Sequence, residues 1–240
     1  MKGKLYLLPN LLGKSEINCV IPSGVLEIIH SLDCFIVENV RSARRFLLHS
    51  GYSKEINNIE FFILDEHTSN DDIQKYIVAC QAGRNMGVLS EAGVPAVADP
   101  GARIVELAHK SGIRVIPLVG PSSILLALMS SGLNGQSFSF LGYLPVKKDN
   151  LVRRIREIEA ISIREKQTQI FIETPYRNLR LFGELIRVCK PSTHLCIALN
   201  LTGPEEKISL KRISEWKNTN PDIERKPAVF LLSAAHINTD

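Results

Sequence analysis

The sequence predicts an α/β protein made of two α/β domains, residues 1–119 and 120–240. In the first half, short apolar segments alternate with amphipathic segments of about ten residues, the pattern of strands and helices around a parallel sheet. Near the carboxyl end, consecutive apolar segments follow one another without an intervening helix. The first domain is therefore expected to hold a mostly parallel sheet with helices on both faces, and the second a mixed sheet with helices.

Helix start and stop signals define the elements of the first domain. Pro22 and Ser23 precede its first helix, Gly51 follows the second, and Ser69 or Asn70 caps the third. Together with the apolar segments, these signals predict strands at residues 4–8, 34–37, 60–64, 86–89 and 114–118, and helices at 25–31, 42–49, 70–81 and 103–111.

The second domain begins with an apolar helix that Gly132 ends. A longer helix carries Leu151, Ile155 and Ile158 at the spacing of a single helix face. The remaining pattern predicts strands at residues 138–144, 169–172, 194–199, 207–210 and 228–232, and helices at 124–130, 150–164 and 179–189.

Composition and cysteine usage narrow the class of protein. The chain has 240 residues, of which 45% are hydrophobic and 22% charged, an ordinary composition for a soluble domain. No apolar run approaches the ~20 residues of a membrane helix, and the amino terminus reads as a strand rather than a signal peptide. The five cysteines are scattered without a C-x-x-C pair. We therefore expect a cytoplasmic protein without disulfides and without membrane contact.

The net charge of +4 is unevenly distributed. Residues 1–120 carry a balance of −1 and residues 121–240 a balance of +5. The second half is a candidate for contact with a phosphate-rich partner. A solvated basic surface is the alternative.

Residues 90–101, S-E-A-G-V-P-A-V-A-D-P-G, have the pattern of a binding loop. They follow the fourth strand, and loops at the carboxyl ends of parallel strands are where α/β proteins bind ligands. The turn at residues 120–123 and the turn at Pro9 and Asn10 follow strands at the same edge, so the three segments could wall one pocket. The alternative is structural: Asp99, Ser122 and Ser123 would then cap helices.

Several classes of site are excluded by missing motifs. The chain contains neither G-x-G-x-x-G nor G-x-x-x-x-G-K-[ST], the fingerprints of dinucleotide and nucleoside triphosphate binding. Its six histidines show no metal-ligand spacing, and residues 120–123, G-P-S-S, are not a nucleophile elbow. No metal is expected.

Five motifs in order along the chain resemble one family. They are E-N-V-R-S-A-R (38–44), L-S-E-A-G-V-P-A-V-A-D-P-G (89–101), P-L-V-G-P-S-S (117–123), G-Y-L-P-V-K-K (142–148) and E-T-P-Y-R (173–177). The second is similar to the S-D-A-G-T-P-x-x-S-D-P-G loop of bacterial ribosomal RNA small-subunit 2′-O-ribose methyltransferases, family I. These enzymes belong to the tetrapyrrole methylase-like class that uses S-adenosylmethionine.

The resemblance implies a homodimer that holds S-adenosylmethionine, the methyl donor, in a cleft between the two domains. Backbone and small side chains of the first-domain loops would hold the donor, and three positions of the second domain would close the pocket. The predicted donor-binding residues are Pro9, Ser90, Glu91, Ala92, Gly93, Val94, Val97, Asp99, Ser122, Ser123, Ile172, Ala198 and Ala228.

The chain also departs from the family pattern. Asn39, Val40 and Ala43 replace the Asp and both Thr of the family's E-D-T-R-x-T-R. Glu91 replaces the Asp of S-D-A-G, and Tyr176 replaces the His of S-P-H-R. Donor binding is expected to survive these changes better than substrate identity.

Candidate catalytic residues are Glu38, Arg41 and Glu91. A ribose hydroxyl is a poor nucleophile, so a carboxylate at the sheet edge would help by accepting its proton. Arg41 and Arg44 lie three residues apart on one helix face, where both guanidinium groups could bind phosphate. A salt bridge from Glu38 to Arg41 or Arg45 is the alternative.

A second basic group is predicted to contact the RNA backbone. The group comprises Lys147, Lys148, Arg153, Arg154 and Arg156, and the apolar face of the helix is expected to leave its three arginines pointing outward. Lys147, Lys148, Arg153 and Arg154 join Arg41 and Arg44 as predicted RNA-binding residues. A solvated basic face is the alternative.

The sequence thus predicts a methyltransferase that modifies a ribose of ribosomal RNA, with the RNA or the small ribosomal subunit as its partner. Two alternatives stay open: methylation of a tetrapyrrole or another small molecule, and a dimeric module that binds the donor without catalysis.

Overall fold

The chain divides into two compact units, Met1–Ser122 (unit 1) and Ser123–Asp240 (unit 2). The computed structural model describes residues 1–53, 55 and 58–235. The division lies three residues after the boundary expected at residues 119 and 120.

Unit 1 alternates strands and helices. Its elements are β1 (Lys4–Leu8), α1 (Ile17–Val20), α2 (Ser23–Ser31), β2 (Cys34–Val37), α3 (Val40–His49), β3 (Glu60–Ile63), α4 (Asn70–Gln81), β4 (Met86–Leu89), α5 (Gly101–Lys110) and β5 (Arg114–Pro117). The five strands form an all-parallel sheet in the order β3-β2-β4-β1-β5. The predicted parallel sheet is confirmed.

Side-chain alternation along these strands produces a core on each face of the sheet. In β2, Phe35 and Val37 pack with the residues of α2 and α3, whereas Cys34 and Ile36 pack with those of α4 and α5. All four positions of β2 are buried, as expected for a strand covered on both sides. Helices on both faces leave the carboxyl edge of the sheet as the place where loops can form a site.

Unit 2 has a different topology. Its elements are α6 (Ser123–Ser131), β6 (Phe138–Tyr143), α7 (Lys148–Glu165), β7 (Thr168–Ile172), a 3-10 turn (Pro175–Arg177), α8 (Asn178–Val188), β8 (His194–Leu199), β9 (Lys207–Arg212), α9 (Ile213–Trp216) and β10 (Ala228–Ser233). The strand order is β6-β7-β10-β8-β9. The β6–β7 pair is parallel and the other three pairs are antiparallel, so the predicted mixed sheet is confirmed.

The core of unit 2 lies under α7, α8 and α9. Phe171 and Phe230 stack at its centre with ring centroids 5.9 Å apart. Leu151, Ile155 and Ile158 of α7 pack into the same core, which confirms the apolar face predicted for that helix. On the other side of the sheet, α6 lies against β8, β9 and β10.

Several element boundaries differ from the sequence prediction for local reasons. Helix α3 begins two residues before the expected Ser42, because the Asn39 side chain accepts hydrogen bonds from the Arg41 and Ser42 backbone N–H groups. Helix α9 was missed: at four residues it is too short to show periodicity. Glu215 starts it by accepting a 2.7 Å hydrogen bond from the Arg212 N–H.

Within the described residues, no helix combines the length and apolar character that crossing a membrane requires.

Candidate functional site

The loops that follow β1 and β4 are joined by one buried side chain. The Asn10 amide Nδ2 donates to the Ser90 carbonyl (2.8 Å) and the Glu91 carbonyl (3.1 Å), and the Asn10 backbone N–H donates to the Gly93 carbonyl (2.8 Å). Asn10 is 7% exposed, so these bonds are protected from water. The turn after β1 therefore fixes the first half of the loop at residues 90–101.

The segment after β5 lies against the same two loops. A Cβ built on Gly120 would lie 2.0 Å from the Cβ of Pro9, so Gly120 is the residue type that this contact permits. A Cβ on Gly93 would lie 3.4 Å from the Pro121 carbonyl oxygen. Three loops at the carboxyl edge of the parallel sheet thus come together, as their positions after strands predicted.

The backbone of the loop at residues 90–101 is strained. Ala96 (φ 65°) and Ala98 (φ 61°) both occupy the left-handed region, which costs a residue with a Cβ roughly 1–2 kcal/mol. The Asp99 carboxylate offsets this cost, because its Oδ1 accepts from the Ala96 N–H (2.8 Å) and the Gly101 N–H (2.7 Å). Strain held in this way is typical of binding loops.

Asp99 therefore accepts a hydrogen bond from the first residue of α5, in agreement with the alternative that it caps a helix. Only one of its two carboxylate oxygens does so. Its other oxygen, Oδ2, is buried without a hydrogen-bond partner among the described residues. A buried acceptor without a donor is unfavourable, and it marks a place for a ligand to donate a hydrogen bond. The predicted contact of Asp99 with S-adenosylmethionine stays a prediction.

Glu38, Glu91 and Asp99 form a cluster of carboxylates at this edge. Glu38 and Asp99 line one small cavity together with Ser90 and Gly101. Burial raises the pKa of Glu38, the nearby charges of Asp99 and Glu91 raise it further, and a hydrogen bond from the Glu91 backbone opposes the rise. Burial also raises the pKa of Asp99, against the two backbone hydrogen bonds it accepts.

Glu91 is oriented from α3. Its Oε2 accepts a 3.1 Å hydrogen bond from the Ser42 hydroxyl, so α3 and the loop after β4 are linked across the site. Within the described residues, no ion pair joins Glu38 to Arg41 or Arg45, and the charges that act on Glu38 are those of Asp99 and Glu91, so the alternative salt bridge is absent. The Glu38 carboxylate thus remains at the cavity instead of being paired on the surface.

Arg41 and Arg44 lie exposed on α3, as expected. The Arg44 guanidinium carbon lies 5.6 Å from the centroid of the Phe61 ring, a cation–π contact that fixes its side chain over β3. Their predicted contact with RNA phosphate is untested and stays a prediction.

The remaining predicted donor-binding positions of unit 1 lie in the same three loops. Pro9 contacts Gly120, and Ala92, Val94 and Val97 follow Glu91 in the loop after β4. Ser122 ends unit 1, and Ser123 is the first residue of both α6 and unit 2.

Three predicted positions of unit 2 lie side by side in its sheet. Val229 of β10 pairs with Ile172 on one side and with Ala198 on the other, and Ala228 is the next residue of the same strand. The structure therefore brings Ile172, Ala198 and Ala228 together on neighbouring strands. Their contact with a donor stays a prediction.

The predicted RNA-binding members of the second basic group, Lys147, Lys148, Arg153 and Arg154, differ in their exposure and in their ion pairs. Arg154 is half-buried and pairs with Glu157 at 2.9 Å, whereas Arg153 is exposed and donates to the Asn150 side chain at 3.3 Å. Lys147 and Lys148 are exposed, with Lys148 4.0 Å from Glu184. The expectation that Arg154 points fully outward is wrong, because its guanidinium follows Glu157 along the helix.

The sequence analysis missed Ser42, which orients Glu91. It placed Asn10 in the turn after the first strand but gave no role to the Asn10 side chain, which ties two loops. Asn10 follows Pro9 in the turn after β1, a position that could have indicated a role for its side chain, whereas nothing local indicates the contact of Ser42. Across the described part of the chain, no group of three or more His, Cys, Asp or Glu side chains could hold a metal ion.

Replacing Ala98 by glycine is expected to raise the free energy of unfolding by about 0.5 kcal/mol. The left-handed conformation costs alanine roughly 1–2 kcal/mol, which glycine does not pay. The extra freedom of glycine in the unfolded chain lowers stability by about 0.4–1 kcal/mol and so cancels part of this gain. Urea unfolding measures the change. Ala102→Gly, on the exposed side of α5, is the control and should lower stability by up to about 1 kcal/mol. A loss at Ala98 equal to that at Ala102 would contradict the strain.

Glu38→Gln should change the pH dependence of stability. Because the pKa of Glu38 is raised in the folded state, the unfolded chain ionises first, and the parent loses stability as pH rises above the ordinary value of 4.5 towards the folded pKa. The glutamine variant lacks this loss, so its stability relative to the parent should rise across that window. Unfolding at a series of pH values measures it.

Glu106→Gln is the control of opposite sign for this measurement. The hydrogen bond from Lys110 and the Lys110 charge lower the pKa of Glu106. The parent therefore gains stability as pH rises, and the stability of the glutamine variant relative to the parent should fall. If the stability of both variants relative to the parent changes with pH in the same direction, the surroundings of Glu38 do not disfavour its charged form and the prediction is wrong.

No family model matches the chain. It is 29% identical over 238 residues to "Ribosomal RNA small subunit methyltransferase I" of Escherichia coli O157:H7, an alignment covering 98% of this chain and 79% of that protein. It is 33% identical over 183 residues to the protein of the same name from Mesorhizobium japonicum, covering 76% of this chain and 59% of the relative.

Two solved structures with the same fold are methyltransferases. The methyltransferase CobJ superposes with a TM-score of 0.64 at 17% identity, covering 96% of this chain and 94% of the other. Uroporphyrin-III C-methyltransferase from Thermus thermophilus, complexed with S-adenosyl homocysteine, gives a TM-score of 0.56 at 16% identity, covering 96% and 97%. The resemblance predicted from the motifs is confirmed: the chain is a homologue of the ribosomal RNA small subunit methyltransferases I and has the fold of tetrapyrrole methyltransferases.

Proposed function

We propose that this protein is an S-adenosylmethionine-dependent methyltransferase that methylates a ribose 2′-oxygen of small-subunit ribosomal RNA in the cytoplasm. The observation that carries the proposal is the alignment with a ribosomal RNA small subunit methyltransferase I over 98% of this chain. The geometry of unit 1 supports it, because the loops after β1, β4 and β5 meet at the edge where parallel sheets bind small ligands.

The residues of this edge suit a nucleoside donor without phosphate groups. Gly120 and Gly93 let the loops after β1, β4 and β5 pack closely, because a Cβ at either position would meet the neighbouring loop. The unpartnered Asp99 Oδ2 is an acceptor for an amine or a hydroxyl. The chain has no phosphate-binding fingerprint, and S-adenosylmethionine requires none.

When bound, S-adenosylmethionine supplies a methyl group on a positively charged sulfur, which becomes a neutral thioether as the methyl passes to the ribose oxygen. The chain's own residues orient the ribose hydroxyl and accept its proton. Glu38 suits proton acceptance, because burial and Asp99 raise its pKa and so make its carboxylate a stronger base. Glu91, held by Ser42, is the second carboxylate available.

Arg41 is assigned the RNA phosphate next to the reacting ribose. It lies one turn after Glu38, at the start of α3, and its exposed guanidinium suits an anion. Contacts to more distant phosphates are assigned to exposed basic residues on both units: Arg44, Lys147 and Arg153. Lys148 is left out of this set, because it lies 4.0 Å from Glu184.

A homodimer is part of the proposal. Helix α6 of unit 2 leaves the side chain of Met129 79% exposed, although its opposite side packs on the sheet. Leu125, one helical turn earlier, is also exposed, and neighbouring exposed apolar side chains favour contact with a second copy. Sedimentation equilibrium of the purified protein measures the mass directly.

Glu38→Gln should lower methyl transfer by about 10²–10⁴-fold while leaving donor affinity within about threefold of the parent. The assay supplies S-adenosylmethionine labelled in the methyl group together with undermethylated small ribosomal subunits, and counts label in the RNA. Calorimetric titration measures donor affinity. Glu106→Gln, on the exposed side of α5, is the control variant.

The outcomes of that assay separate the hypotheses. Label in the RNA at the parent rate with Glu38→Gln would remove Glu38 as the base. Label in a tetrapyrrole but not in RNA would favour the small-molecule alternative. Donor binding without transfer to either substrate would favour a module that has lost catalysis.

Gly120→Ala should weaken S-adenosylmethionine binding at least tenfold, about 1.4 kcal/mol. The new Cβ would collide with the Pro9 ring, which cannot move away by changing rotamer, so the loops after β1 and β5 must separate. Calorimetry with the donor measures the loss. Gly135→Ala is the control, because nothing lies within 4 Å of a Cβ at that position. Equal affinity of the two variants would place the donor elsewhere.

A further inference from the structure

We propose that Tyr176, backed by Arg225, is a stacking platform for an unpaired base of the RNA substrate, with Lys147 and Arg180 contacting the adjacent phosphates. This inference rests on the proposed function, because it assigns a contact to the RNA that the function requires. It concerns unit 2 alone and does not involve the donor-binding loops of unit 1.

The first observation is an aromatic ring that is exposed although its backbone is firmly held. The Tyr176 side chain is 80% exposed, the largest fraction among the exposed aromatic side chains of the described residues. Its neighbour Arg177 donates to the Glu173 carboxylate through Nε at 2.7 Å and Nη2 at 2.6 Å, and that carboxylate is only 6% exposed. Both nitrogens contact the same oxygen, Glu173 Oε1, and this charge-assisted contact to a buried carboxylate fixes the turn that presents the ring.

The second observation is that a separate loop supports the ring from behind. The Arg225 guanidinium carbon lies 5.9 Å from the centroid of the Tyr176 ring, and the Arg225 N–H donates to the Pro175 carbonyl at 3.1 Å. The buried Asn178 amide donates to the Ile223 and Lys226 carbonyls at 3.0 and 2.8 Å, which ties this loop to α8. Arg225 accepts a left-handed φ of 57° in this position.

The third observation is a second exposed aromatic residue at the same edge of the sheet. Tyr143 ends β6, is 56% exposed and is the register partner of Ile172 at the end of β7. Because β6 and β7 are parallel, their carboxyl ends meet, and only Glu173 and Thr174 separate β7 from the turn carrying Tyr176. Two exposed tyrosines at one edge provide π-faces for successive bases.

The fourth observation is the charge that surrounds these rings. Arg180 donates to the Val146 carbonyl at 2.9 Å, so the start of α8 and the segment after β6 form one surface that includes Lys147. In the described part of the chain, Lys147, Arg180 and Arg225 form no ion pair, in contrast to Arg177 and Lys148. Their charges are therefore available to phosphate.

Exposed aromatic rings interleaved with unpaired cations are the features by which proteins bind single-stranded RNA. A duplex does not present its base faces, so the platform selects an unpaired segment. An acidic peptide would use the cations but not the rings. The combination of exposed rings and cations therefore suits unpaired RNA.

The test measures binding of a fluorescein-labelled, unstructured RNA oligonucleotide by anisotropy, and methylation of small subunits by the parent and its variants. Tyr176→Ala should weaken oligonucleotide binding about tenfold, and Tyr176→Phe should restore it, since the ring rather than the hydroxyl stacks. KM for the subunits should rise with kcat little changed. Phe138→Ala is the matched control, since Phe138 is an exposed aromatic at the opposite end of β6.

Salt dependence separates stacking from charge. Lys147→Gln should reduce the slope of log affinity against log salt by about 0.7, the value for one phosphate of a single strand, whereas Tyr176→Ala should leave the slope unchanged. Unchanged donor affinity by calorimetry shows that each variant is folded.

Two results would overturn the inference, and they are distinguishable. If the parent methylates the subunits and Tyr176→Ala binds the oligonucleotide and the subunits as the parent does, the platform is wrong and the proposed function stands. If the parent binds the donor but neither binds nor methylates RNA, the proposed function fails and the platform fails with it.

Discussion

The buried amide of Asn10 is the contact on which the candidate site depends. It donates to two consecutive carbonyls and its backbone N–H to a third, all in the loop after β4, while its own Oδ1 accepts from the Leu11 N–H at 2.7 Å. Loss of the side chain would leave buried carbonyls without donors, at about 1–3 kcal/mol each. The backbone of residues 90–93 therefore depends on this one residue, whereas Ser42 orients the Glu91 side chain.

A loop held at one end in this way can carry strain at the other. Gly93 takes a left-handed φ of 71° at no steric cost, whereas Ala96 and Ala98 take theirs at a cost. The Asp99 carboxylate compensates by bonding both the loop and the first turn of α5. The shape of the pocket is then set before a ligand arrives, and ordering the loop does not reduce the affinity. The residual cost is a raised pKa for Asp99, because burial disfavours its charge.

Regular elements could be predicted from the sequence because their signals are local. The apolar strands of unit 1, the caps at Ser69 and the glycine breaks each lie within a few residues of what they determine. The convergence of three loops also followed, since parallel strands share an edge. Contacts between distant residues did not follow: Ser42 meets Glu91 across 49 positions, and nothing in either segment specifies the partner. The same holds for Tyr176 and Arg225, whose contact depends on the path of the loop after α9.

Formal charge is a poor guide to where unit 2 can meet RNA. Many of its basic side chains are neutralised by neighbouring carboxylates, as for Lys148, Arg154, Arg164, Arg177, Arg187 and Lys226. Exposed pairs of this kind contribute little to stability, but each removes a cation from the field a polyanion experiences. What remains near Tyr176 is Lys147, Arg180 and Arg225, three cations around an exposed ring. Arg177 shows the contrast: its pairing with buried Glu173 removes it as a phosphate ligand and makes it the support of the ring beside it.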